Sequence, residues 1–320
     1  MNLEEKRTEV PDRVVDAVLD SDAFAEIDDQ FAIAYFMLAS ERIRPIGICA
    51  APFPDCDEFG HESPEAGMKK SEDEIKKVLH LMGRDDFLNH VYSGAPIFLK
   101  DEKTPVRSSA SEFLVKCARE HSPENPLYII GIAAATNIAS AILMDRKAMT
   151  ENTVIIWLGG HATHLEKTDE YNMKNDLAAA RILFLSDVPM VQVPCEGVTD
   201  RFYTTSPELR FWLHKKNPLA TYLTENTENV ANTYAAGKAW HRVIWDLVAV
   251  AWLLNDGERF MQTKIIPRHT PQYDFRYAVS EESSKAPMRY IYHIQRDELF
   301  TDFFCRVGQM KPQPEAGKTV

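Results

Sequence analysis

Five carboxylates crowd into ten residues of this chain: Asp20, Asp22, Glu26, Asp28 and Asp29. Ionised side chains packed that densely repel one another unless a cation compensates them. Hard oxygen donors select calcium or magnesium over softer metals, and calcium accepts the irregular coordination that a bent loop supplies. A carboxylate beside a cation-polarised water can also serve as a general base. Part of the cluster has a simpler account. Asp28 and Asp29 open the apolar stretch DDQFAIAYFMLAS, and an aspartate pair favours the positive N-terminus of a helix. Asp20 and Asp22, on the strand side, have no such use.

The elements that must position this cluster follow from hydrophobic periodicity. RVVDAVLD (13–20) is predicted as a first strand, residues 28–40 as the helix after it, and IRPIGICAA (43–51) as a second strand. A polar loop then leads to a helix over MKKSEDEIKKVLHLMG (68–83). Further strands are predicted at 126–133, 153–160 and 188–194, with helices ATNIASAILM and DLAAARILFL between them. Alternation of short apolar runs with helical patterns gives an α/β fold: an open, mainly parallel sheet flanked by helices. Ligands of such sheets bind beyond the carboxyl ends of the strands, which singles out loops 20–29, 52–67, 131–137, 159–176 and 195–200. No repeat or linker divides the chain, so one catalytic domain over 1–310 is expected, with a disordered tail at 311–320.

Of the 320 residues, 45% are hydrophobic and 26% charged, enough apolar material for a substantial core. The net charge of -12 opposes a nucleic-acid partner. No run approaches the length of a membrane helix and the start, MNLEEKRTEVPDR, lacks an apolar signal block, so no membrane association and a cytoplasmic location are expected. Cys49, Cys56, Cys117, Cys195 and Cys305 are odd in number and scattered, which excludes a disulfide framework and a short-spaced zinc site.

Asp20-x-Asp22, a loop, then Asp28-Asp29 opening an apolar helix resembles the N-terminal signature of the inosine-uridine-preferring nucleoside hydrolases. The likeness continues in order with AAATNIA at 133–139, Gly159-Gly160, Glu170-Tyr171-Asn172, Pro194 followed by Gly197-Val198-Thr199, and Trp245-Asp246-Leu-Val-Ala-Val-Ala. The resemblance implies a nucleoside hydrolase-like fold with a Rossmann-like core and hydrolysis of the N-glycosidic bond of ribonucleosides. It implies a Ca2+ held by Asp22, Asp29, Asp246 and the backbone carbonyl of Ile132, with Asp22 as the base. It implies further that Asp28, Glu170 and Asn172 bind ribose hydroxyls, and that the assembly is a homodimer or homotetramer acting on a small-molecule ribonucleoside. These residue types suit the chemistry, because an oxocarbenium-like transition state needs a positioned water on one face and help for the departing base on the other.

The chain departs from the family pattern in three places. The loop between Asp22 and Asp28 is longer than usual, and the ribose-binding asparagine after the second strand is replaced within Ala51-Pro52-Phe53-Pro54-Asp55. The histidine that precedes the late aspartate is Trp245 here, which removes an imidazolium donor and offers an indole face for stacking on a purine. Purine preference is therefore expected, with His241, one helical turn before Trp245, as a second candidate at the base. Simpler accounts stand beside these: Trp245 as a core residue, Asp246 as a helix N-cap, Asn172 as a turn residue, and His161 and His164 as pocket-lining or surface groups. Two other functions are weighed. A hydrophobic strand ending in Asp-x-Asp also begins haloacid-dehalogenase-type phosphatases, with Asp20 as nucleophile and Asp22 as acid. A non-catalytic nucleoside-binding descendant is the third.

Overall fold

The computed structural model describes residues 6–56, 60, 62–278 and 286–311. Eight strands form the main sheet: β1 (Val15–Ser21), β2 (Ile43–Ala50), β3 (Val91–Ser93), β4 (Leu127–Gly131), β5 (Thr153–Leu158), β6 (Met190–Val193), β7 (Met261–Ile266) and β8 (Met288–Ile294). Their spatial order is β3-β2-β1-β4-β5-β6-β8-β7, and every neighbouring pair is parallel except β7 with β8. The open, mainly parallel sheet predicted from periodicity is the sheet observed. The order in which successive strands are added reverses between β1 and β4, so their carboxyl ends flank the crevice in which a doubly wound sheet binds its ligand.

Uninterrupted apolar strands are explained by burial on both faces. Val15, Ala17 and Leu19 of β1 point into one core layer while Val18 points into the other. Along β5, Val154, Ile156 and Leu158 join the first layer, and Ile155 and Trp157 the second. Helices α1 (Asp29–Leu38), α2 (Pro64–Leu81), α7 (Pro218–Ala235) and α9 (Arg296–Gln309) cover the first face. The opposite face carries α3 (Ser109–Glu120), α4 (Thr136–Met144) and α6 (Leu177–Leu185). Phe31 of α1 and Phe303 of α9 meet with ring centroids 5.4 Å apart, tying the chain's two halves together beside the first strand.

The predicted elements are present with shifted ends, and the strand β3 and helix α3, which were not expected, join them; two further features differ. The helix expected from residue 68 begins at Pro64, because Ser63 is extended and its Oγ accepts the Ala66 N–H at 3.3 Å, with proline at the first helical position. No strand was expected beyond residue 194, yet β7 and β8 complete the sheet. Their sequences, MQTKII and MRYIYHI, mix charged and aromatic residues because β7 is an edge strand with only part of its surface buried. Residues 312–320 of the expected tail lie outside the described residues.

Gly94 follows β3 where three elements converge. A Cβ there would sit 2.0 Å from the Ala50 carbonyl oxygen and 2.7 Å from Asn137 Nδ2. Backbone cannot yield as a flexible side chain does, so Gly94→Ala is expected to destabilise the fold by about 1–3 kcal/mol. A urea midpoint equal to that of the unsubstituted protein would show that the β2–β3 edge moves to accept the methyl group.

Candidate functional site

β1 ends in the acidic cluster because its last residues pass from the sheet into the crevice. Asp20 is fully buried, and its Oδ1 accepts Asn137 Nδ2 at 2.8 Å while Oδ2 has no partner. Loss of water raises this carboxyl to about 7 against the pull of the asparagine. Asn137 also uses its Oδ1 to accept the Ala95 N–H at 2.9 Å, so one amide clamps Asp20 to the turn after β3. Asp20 does not line the cavity described below, and a buried carboxylate without access to it cannot be the phosphoryl nucleophile of the phosphatase reading.

Two helices present the next carboxylates. Asp28 precedes α1 and Asp246 precedes α8 (Leu247–Ala251), yet neither side chain caps its helix. The N-cap account of Asp246 is thereby set aside, whereas Asp28 and Asp29 do stand at the opening of α1 as expected. Asp28 turns toward the other helix and accepts the Asp246 N–H at 3.3 Å. Carboxylate oxygens of Asp28, Asp29 and Asp246, all buried, lie within 4.8 Å of one another. Burial, then mutual repulsion, holds Asp246 well above the ordinary carboxylate range. Burial pushes Asp29 up to about 7, although the Ser21 hydroxyl donates to it at 2.7 Å. Asp22 is raised by burial and by Asp29, and its Oδ2 is buried without a partner. Four buried carboxylates together, with Asp22 Oδ2 left without a partner, are a donor set suited to a divalent cation.

These residues line one side of a cavity of about 300 Å³. The volume matches the smaller end of sites for small organic ligands. Asp22, Asp28, Asp29, Ile132, Glu170, Asn172, Trp245 and Asp246, from loops remote in sequence, all reach it. Asp22 and Ile132 line the same cavity, beside the tight Asp28–Asp29–Asp246 group. His241 is not brought in. The expected helical turn between it and Trp245 does not form, since Arg242–Val243 is a short strand and helix begins only at Leu247. Its ring packs 4.7 Å from that of Tyr203 instead. Trp245 is half-buried, lining the cavity with part of its surface and packing on the core with the rest.

Glu170 and Asn172 do structural work within the wall. Glu170 accepts the Asn172 N–H at 2.8 Å, the Gly160 N–H at 2.9 Å and the Met173 N–H at 3.0 Å, capping helix α5 (Tyr171–Asn175). Gly160 makes this possible by turning the chain with φ +74, where a Cβ would lie 2.2 Å from the Tyr277 hydroxyl. Asn172 spends its NH2 on the carbonyls of Ile132 at 3.2 Å and Leu158 at 3.1 Å, which ties the ends of β4 and β5 together and leaves its oxygen to accept. His161 lines the cavity, whereas His164 does not. The Nδ1 atom of His161 accepts the Glu196 N–H at 3.2 Å, which leaves Nε2 as the ring nitrogen free to donate. Tyr171, Cys195 and Glu196 also line the wall without having been predicted individually. Only their location in loops after β5 and β6 marked them.

Because three backbone donors converge on one buried carboxylate, Glu170→Ala should lower stability by roughly 1–3 kcal/mol, as read from chemical denaturation. Glu170→Gln, able to accept but uncharged, should recover part of the loss. Equal midpoints for all three proteins would show that the cap is dispensable.

The family model described as inosine-uridine preferring nucleoside hydrolase matches residues 60–319. None of the curated proteins matches the chain. Among solved structures, a purine-preferring ribonucleoside hydrolase from Gardnerella vaginalis is similar with 19% identity and TM-score 0.70 over 92% of this chain and 98% of that one. An inosine-uridine preferring nucleoside hydrolase from Bacillus anthracis is similar with 14% identity and TM-score 0.65 over 93% and 100%. The type III effector protein XopQ, solved with adenosine diphosphate ribose, is similar with 16% identity and TM-score 0.63 over 96% and 97%. These likenesses concern the fold. The family match begins after the aspartate cluster and takes in the whole later half of the sheet. With that match and the acidic crevice together, the chain belongs to the inosine-uridine preferring nucleoside hydrolase family, metal-dependent enzymes that hydrolyse the N-glycosidic bond of ribonucleosides.

Proposed function

We propose that this chain hydrolyses ribonucleosides in a calcium-dependent reaction and prefers purine bases. The observation that carries the calcium reading is the group Asp28, Asp29 and Asp246, buried within 4.8 Å, with neither helix-opening aspartate used as a cap. Asp22, Asp29, Asp246 and the Ile132 carbonyl hold the ion, and Asp28 lies close enough to share in its field. Oxygen donors alone, without histidine or cysteine in the group, select calcium over zinc. When bound, calcium supplies the positive charge that orients a water and lowers its pKa.

The protein's own groups do the rest. Asp22, with one buried oxygen unpartnered, takes the proton from the attacking water. Asp28 and the Asn172 oxygen accept hydrogen bonds from the ribose diol, and the Glu170 cap fixes Asn172 against β4 and β5. Trp245, which lines the same cavity, presents its indole to the base and excludes water there. A homodimer or homotetramer is part of this reading, tested by light scattering.

Asp29→Ala and Asp246→Ala are each expected to lose bound calcium and at least about a hundredfold in kcat/KM, because each removes a charge from a cation site that the remaining carboxylates cannot balance. Metal analysis with full calcium occupancy in both variants would remove the assignment, and a protein active after exhaustive chelation would remove the calcium requirement.

Purine preference rests on Trp245. A purine covers more of the indole face than a pyrimidine, so kcat/KM for inosine should exceed that for uridine. Trp245→Ala should lower the inosine value by roughly tenfold or more while leaving circular dichroism unchanged, and Trp245→Phe should retain part of it. Better turnover of uridine by the unsubstituted enzyme would defeat the stacking assignment.

A further inference from the structure

Eight carboxylates line the cavity, and among the described residues no lysine or arginine lines it. Four belong to the proposed cation site. Of the rest, Glu26, Asp169 and Glu196 are solvent-exposed at the wall, and Glu170 is held by backbone donors. Arg242 pairs with Glu26 without reaching the lining itself. One divalent ion leaves such a set strongly negative, and a concave site with low-dielectric walls focuses that field on whatever enters. Phosphorylated ligands are repelled, and cations are drawn in.

The departing base gives an independent reason. Cleavage of a neutral nucleoside leaves an anionic base unless an acid protonates it. Three lining aromatic side chains carry an N–H or O–H, and none is a ready acid: the Trp245 indole does not ionise in the acid range, His161 Nδ1 accepts the Glu196 N–H and so carries no second ring proton there, and a tyrosine hydroxyl such as that of Tyr171 is a far weaker acid than an imidazolium. A base that already carries a positive charge needs no proton donor, and an indole face attracts it.

We infer that the preferred substrates are ribosides of positively charged bases joined to ribose through a quaternary or cationic-ring nitrogen, such as pyridinium ribosides and N7-methylated purine ribosides. The inference rests on the hydrolase reading above and names its substrate class. In the step, the C1′–N bond breaks and its electron pair passes to the cationic ring, which leaves neutral. Water oxygen forms the new bond to C1′, and its proton goes to Asp22 and then to solvent. Nothing is oxidised or reduced and no further reactant enters.

The test compares inosine, 7-methylinosine, nicotinamide riboside and nicotinamide mononucleotide as substrates of the calcium-loaded enzyme, by ribose or ribose phosphate release at low and high sodium chloride. Both cationic ribosides should exceed inosine in kcat/KM by roughly tenfold or more at low salt, with the mononucleotide poorest. Their advantage should appear partly in a lower KM and shrink several-fold at high salt, because the field is screened. The double substitution Asp169→Asn with Glu196→Gln should raise KM for nicotinamide riboside several-fold more than for inosine. Inosine equal to or better than both cations would overturn the inference while leaving the hydrolase reading intact. An advantage that lies wholly in kcat and ignores both salt and the double substitution would also overturn it, since it would then come from the lability of the substrates. Failure to release sugar from any of them would overturn the hydrolase reading and this inference together.

Discussion

Like charges forced together in a dry crevice set the terms for the rest of this structure. Asp20, Asp22, Asp28, Asp29 and Asp246 are all buried, and two carboxylate oxygens among them, Asp20 Oδ2 and Asp22 Oδ2, have no hydrogen-bond partner. Taking one ionised carboxylate out of water already costs several kcal/mol, and neighbours of the same sign add to that cost. A fold can hold such a group if the surrounding core is rigid and a proton or a cation relieves the repulsion. The thick two-layer core on either side of β1 and β4 supplies the rigidity, and an oxygen-only donor set supplies the place for the ion.

The sheet's strand order turns that constraint into a site. Because the chain leaves β1 on one side and β4 on the other, their carboxyl ends open a crevice instead of being crossed by a connection. Helices α1 and α8 then aim their first residues into it from the same face. Asparagines brace the arrangement. Asn137 links Asp20 to the turn after β3, and Asn172 links the ends of β4 and β5. Glu170 serves both the backbone and the wall, so the positions that resemble ribose ligands also decide whether the cavity keeps its shape.

The rim carries the chain's own character. Family members share the metal-dependent centre, whereas this chain has Trp245 before the late aspartate and places Glu26, Asp169, Glu196 and His161 around the opening. Glu26 sits on the longer loop after Asp22 and is tied to Arg242, so the loop that departs from the usual signature is anchored to the segment preceding Trp245. Gln30 adds a second anchor by donating to the Ala23 carbonyl at 2.7 Å. Charge and shape at the mouth therefore depend on contacts between segments more than two hundred residues apart in the sequence.

Much of this was legible in the linear sequence, for a local reason. Strands buried on both faces must be continuously apolar, and helices between them must repeat every 3.6 residues, so β1, β2, β4, β5 and β6 and their helices could be read from pattern alone. Crowded aspartates after β1 announced a cation site in the same way. Other properties depend on where distant residues meet, which one-dimensional spacing does not encode. Whether Asp28 and Asp246 cap their helices or face each other was decided by the packing of α8 on α1, and it was the facing arrangement that formed. His241 was lost from the site because a short strand replaced the expected helical turn, and His161 gained its place because β5 and β6 are neighbours whose following loops touch. The amphipathic edge pair β7–β8 was hidden for the related reason that partial burial leaves no clear period to read. The sequence thus determined which chemistry the chain could carry, and the tertiary structure decided which of its carboxylates gather into one buried group and which stand at the rim of the cavity, since only packing brings separated charges within a few ångströms.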